Sequence, residues 1–194
     1  MPEKAISTRT PGPTGLRLGS WCGAALGAVG LGACVVITNL GGMAIMDEGG
    51  FVASGGPYEI AHPVPDGFWI LPVAFVGLFV FPLVHGIFAS RIKGFGLAYW
   101  TWCAVWTSIG ATTFYYGFNP PGSDGLAWGW LIMGGIFLLV GLGSTWIYVS
   151  YLRSPNRDAS DMPANRRLPY AAMVLVALAV GALGGFQLFG SVVG

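Results

Sequence analysis

The sequence predicts an all-α integral membrane protein. The expected form is a five-transmembrane-helix bundle with a cytoplasmic N-terminus, an outside C-terminus and an ordered outer loop between helices 1 and 2. Three observations predict it. Charged residues make up 9% of the 194 positions and hydrophobic ones 54%, whereas a soluble domain carries about 25% charged residues. Five windows, 18–46, 67–90, 94–123, 125–152 and 168–194, hold no Asp, Glu, Lys or Arg. Each exceeds the roughly 20 apolar residues that cross a bilayer as one helix. Runs such as Ile136-Phe137-Leu138-Leu139-Val140 do not alternate, so they do not read as barrel strands. Finally, all basic residues fall on one side. Lys4, Arg9 and Arg17 precede span one, Arg91 and Lys93 separate spans two and three, and Arg153, Arg157, Arg166 and Arg167 separate spans four and five. The other connections carry only Asp47, Glu48, Glu59, Asp66 and Asp124. The positive-inside rule then fixes the direction. This composition excludes a soluble enzyme and a disordered tail, and a net charge of +1 gives no basic surface for nucleic acid.

Residues 1–17 read as an irregular cytoplasmic arm rich in Pro and Thr, and 18–194 as one transmembrane domain. Span one, about 18–42, is read as a retained helix. Leu31-Gly32-Ala33-Cys34 resembles a lipoprotein cleavage box, but Val35-Val36-Ile37 carry the apolar run past it. Gly19, Gly23 and Gly27 recur on this span, and Ala177, Gly181 and Gly185 repeat the pattern on span five. Small residues at this spacing let two backbones approach closely in lipid, either within the subunit or against a partner.

The outer loop, 43–67, contains apolar residues and Gly-Gly turns, so it is expected to fold as a cap or dock on a partner. Asp47, Glu48, Phe51 and Tyr58 are its docking candidates. Glu59 and His62, at i, i+3 spacing, share a face if the stretch is helical. A carboxylate and an imidazole there are a candidate metal or proton site, set against a structural hydrogen-bonded role.

Span two, about 68–90, contains Pro72 and Pro82 and ends near His85, the one His, Asp, Glu, Lys or Arg well inside a span. Intramembrane ionisable residues are functional candidates. His85 is a candidate cofactor ligand, for a haem or chlorin; the alternative is an interfacial histidine bonded to a neighbouring carbonyl. With His62 and His85 at opposite ends, bis-histidine haem within one chain is not available. Span three, about 95–117, gathers Thr107, Ser108, Thr112 and Thr113, which suit a polar crevice or interhelical bonds. Spans four and five cover about 126–151 and 169–190. Most Trp and Tyr residues read as interfacial belts, with Trp106 alone deep. Cys22, Cys34 and Cys103 lie within spans and form no metal motif.

No nucleophile–base–acid constellation is visible. The sequence therefore reads as a non-catalytic accessory or scaffold subunit of a larger complex in a bacterial-type plasma membrane. Its partners would be the lipid bilayer and other membrane subunits or further copies of itself. A small-solute or ion transporter is the first alternative, and a redox or metal-binding membrane subunit the second. The sequence names no cofactor.

Overall fold

A computed structural model describes residues 14–47, 65–121, 125–153 and 162–193. Five α-helices occur among them: α1 (Thr14–Asp47), α2 (Ile70–Arg91), α3 (Ala98–Phe118), α4 (Trp128–Arg153) and α5 (Ala164–Val192). A short 3-10 turn, Asp66–Trp69, leads into α2. Stretches within α1, α2, α4 and α5 are long and apolar enough to cross a membrane. The fifth, α3, has 21 residues. Its Trp, Tyr, Thr and Ser side chains lower its hydropathy, and it is not among the four.

The helix bounds differ from the sequence expectation at three ends. Helix α1 begins at Thr14 and runs through Asp47, so residues 43–47 are helical rather than part of a loop. Gly41-Gly42 is carried inside the helix, Met43-Ala44-Ile45-Met46 offer no breaker, and the next Gly-Gly pair comes at 49–50. Helix α5 begins at Ala164, which puts Arg166, Arg167 and Pro169 inside it. Pro72 falls in the first turn of α2, where no intrahelical N–H is lost, and only Pro82 interrupts the ladder.

Helix α1 is central. It packs along α2 on one side and α5 on the other. Gly23 faces Phe88, Gly27 faces His85 and Gly41 faces Leu71, so α1 and α2 run antiparallel. Trp21 meets Tyr170, and the Val29–Ala33 stretch meets Gly181 and Gly185, so α1 and α5 run parallel. Ala24, Ala28, Leu31, Tyr170 and Val174 belong to the core between these helices. Close backbone approach explains the glycines: a Cβ at Gly27 would sit 2.7 Å from the His85 backbone nitrogen, and one at Gly185 would sit 2.6 Å from the Ala33 oxygen.

Helices α3 and α4 form a second, antiparallel unit. Its seam uses Gly110 and Gly117 on α3 against Gly134 and Gly141 on α4, each pair seven residues apart. Spacing of seven keeps one face in contact over two turns. The unit meets the rest of the protein sparsely, through α3 against α1 and α2. Helix α4 packs essentially on α3, leaving Ile132, Leu139, Trp146 and Ile147 exposed. The described charges sort by end. Arg91, Lys93, Arg166 and Arg167 lie at the end where α1 starts, and Asp47 and Asp66 at the other.

Candidate functional site

The densest polar cluster lies at the basic end, around His85. Helix α2 ends in a cap that aims the chain back at the bundle. Lys93 N–H donates to Ser90 O at 3.2 Å and Gly94 N–H to Ala89 O at 2.8 Å. This is the Schellman pattern, and it requires a left-handed residue at Lys93, where φ is 61°. Gly94 then lies flat against the Tyr170 ring: a Cβ there would sit 2.6 Å from Cζ. Phe95 follows, edge-on to Tyr170 with centroids 5.0 Å apart, and Trp21 of α1 meets the same ring at 5.8 Å.

His85 and Tyr170 are both fully buried. Nδ1 of His85 lies 2.8 Å from Ala24 O, and because a carbonyl only accepts, Nδ1 carries the hydrogen. Nε2 lies 2.8 Å from the Tyr170 hydroxyl and 3.3 Å from Phe95 O. That hydroxyl is also 2.7 Å from Phe95 O. With neutral imidazole, one hydroxyl hydrogen serves two acceptors, so Tyr170 donates either to Nε2 or to Phe95 O. The cluster joins α1, α2, α5 and the α2–α3 connection: Nδ1–H of His85 donates to Ala24 O, and the Tyr170 hydroxyl sits between Nε2 and Phe95 O. A buried polar network of this kind favours one packing arrangement.

His85, the candidate cofactor ligand by sequence, is fully buried, with Nδ1 against Ala24 O and Nε2 against the Tyr170 hydroxyl and Phe95 O. The residue that sequence reasoning missed is Tyr170. It sits among the apolar residues that open span five and looks like an interfacial aromatic, and its partner is 85 positions away.

A second polar seam joins α1 and α3. Ser108 donates to Asn39 Oδ1, and Tyr116 donates to the Asp47 carboxylate. Asn39 Nδ2 in turn donates to Val35 O at 2.9 Å. Both interhelical bonds have a sequence offset of 69, so α1 and α3 run parallel in register. Asp47, a docking candidate by sequence, is thus engaged by Tyr116 at the end of α1. Glu48, Phe51 and Tyr58, with the proposed metal pair Glu59 and His62, lie outside the described residues. Among the described residues no group of three or more His, Cys, Asp or Glu could hold a metal ion.

Of the six small residues on the two stripes, Gly23, Gly27, Gly181 and Gly185 face neighbouring helices and Ala177 is buried. Gly19 has open space where a side chain would be. The Thr residues of span three divide. Thr107 lies against Gly141 of α4, Thr113 bonds back to Ile109 O at 2.7 Å, and Thr112 borders a small cavity with Thr38 and Asn39. Trp106 is wedged between Trp102 and Phe137, each at 5.2 Å, beside an apolar cleft of about 210 Å³ between α2 and α3. Cys22 is exposed, and Cys34 and Cys103 are buried.

No protein-family model, curated protein or solved structure matches this chain.

Proposed function

We infer that this chain is a non-catalytic accessory or scaffold subunit of a larger membrane assembly, acting by lateral helix packing. The observation that carries this reading is where the buried polar groups go. His85 and Tyr170 hydrogen-bond across α1, α2, α5 and the α2–α3 connection, and Asn39, Ser108, Asp47 and Tyr116 join α1 to α3. Each of these bonds holds one helix or connection to another.

The α3–α4 unit is the docking element in this reading. Its core contact is sparse, and Leu139 and Trp146 are 76% and 71% exposed. The full proposal has α3 as a fifth crossing, which its parallel register with α1 supports. It also has the basic end in the cytoplasm of a plasma membrane, which the gathering of Arg91, Lys93, Arg166 and Arg167 supports. The same proposal makes the end that carries Asp47 and Asp66 the outer one and gives the sequence after Asp47 a docking role.

Site-specific photo-crosslinking in the source membrane tests the reading, combined with native mass after gentle extraction. A photoreactive residue at Leu139 of α4 should give one discrete protein adduct within a particle much larger than 20 kDa. The same residue at Leu183 on the exposed side of α5 should give mainly lipid adducts. Lipid adducts at both positions, with a monomeric particle, would overturn the proposal and favour a small self-sufficient transporter.

A further inference from the structure

We propose that the seam between α1 and α3 contains a water-binding site, anchored on the hydroxyl of Thr38. This does not rest on the scaffold reading. The two side-chain bonds of the seam, Asn39–Ser108 and Asp47–Tyr116, are eight residues apart on each helix, about 12 Å by helical rise. Between them lies a cavity of about 40 Å³ bordered by Thr38, Asn39, Thr112 and Thr113. A buried water needs roughly 10–15 Å³ on the same measure, and two to four polar partners.

The second observation is an orphan. Thr38 Oγ1 is buried and has no hydrogen-bond partner among the described residues. A helical Thr can bond back to the carbonyl four positions earlier, as Thr101, Thr113 and Thr145 do at 2.7–2.9 Å. Thr38 does not. A buried hydroxyl without a partner is costly, and an ordered water at the adjoining cavity removes that cost. The neighbours supply what the water requires. Thr113 Oγ1 uses its hydrogen on Ile109 O, which leaves its lone pairs free to accept. Asn39 Oδ1 accepts from Ser108 and has a further acceptor position. The cavity lies along the α1–α3 seam between the levels of the two interhelical bonds, so a water there would bridge the two helices where the α3–α4 unit attaches.

Thr38 also borders an open apolar cleft with Leu71, Pro72 and Val76. The competing arrangement is a dry cavity with the Thr38 hydroxyl directed at lipid. The isosteric substitution Thr38→Val separates the two by sign. With a bound water, Thr38→Val removes an anchor and lowers the thermal midpoint by roughly 2–4 °C. In a dry cavity it removes an unpaired polar atom, and the midpoint stays level or rises. Water-edited solid-state NMR of the full chain in bilayers provides the direct readout. Thr38 and Thr113 should receive magnetisation from water several-fold faster than Thr145 on α4, and Thr38→Val should reduce the transfer to Thr113. Transfer to Thr38 as slow as to Thr145, or an unchanged or raised midpoint for Thr38→Val, would overturn the site.

Discussion

Adding one methyl group at Gly27 tests how closely α1 and α2 are packed. In Gly27→Ala the new Cβ would lie 2.7 Å from the His85 nitrogen and 2.8 Å from its Cα. Both are backbone atoms, so no rotamer change relieves the overlap. Restoring ordinary contact requires the helices to separate by roughly 0.6–1 Å, and a gap of that size forfeits a quarter to a half of each neighbouring dispersion contact. Overpacking of this kind costs about 1–3 kcal/mol. The same displacement stretches the 2.8 Å bond from His85 Nδ1 to Ala24 O, adding about 1 kcal/mol. Alanine's better helix propensity returns about 0.8–1 kcal/mol, leaving a net loss of about 1–3 kcal/mol. Gly19→Ala, two turns earlier on the same helix, meets nothing within 4 Å. It should be neutral or slightly stabilising. The assay is equilibrium unfolding in mixed detergent micelles, followed by helical circular dichroism, with both variants against the native chain. Equal midpoints for Gly27→Ala and Gly19→Ala would refute the close approach.

The hydrogen bond between His85 and Tyr170 should appear as coupling. In a double-mutant cycle of His85→Phe and Tyr170→Phe, an interaction energy of about 1–2 kcal/mol is expected, and additivity within about 0.3–0.5 kcal/mol would show that the two side chains do not bond. At the α2 cap, Lys93→Gly should raise stability by about 0.5–1 kcal/mol, because glycine adopts the positive φ without steric cost. A lower unfolding midpoint in that variant would mean that the Lys93 side chain contributes more than the left-handed conformation costs.

The sequence by itself determined the class of the protein and the locations of its helices. Charge-free windows and a helical period are local properties, and the free energy of moving a segment into lipid is nearly additive along it. For the same reason the two ends were legible, since the basic residues cluster in the connections that meet at one end. Stripes of small residues on α1 and α5 were legible as potential contacts. Which helix each would meet was not, and neither was the idle position of Gly19. The seam glycines of α3 and α4 are not legible as a contact, because spacing of seven is a weaker pattern than every fourth residue. Tertiary structure alone decided the polar pairs. His85 finds Tyr170, Asn39 finds Ser108 and Asp47 finds Tyr116 across separations of 69 to 85 residues. Hydrogen bonding needs two atoms within about 3 Å in the right orientation. That condition depends on helix order, direction and register together, and no single segment of the chain encodes them.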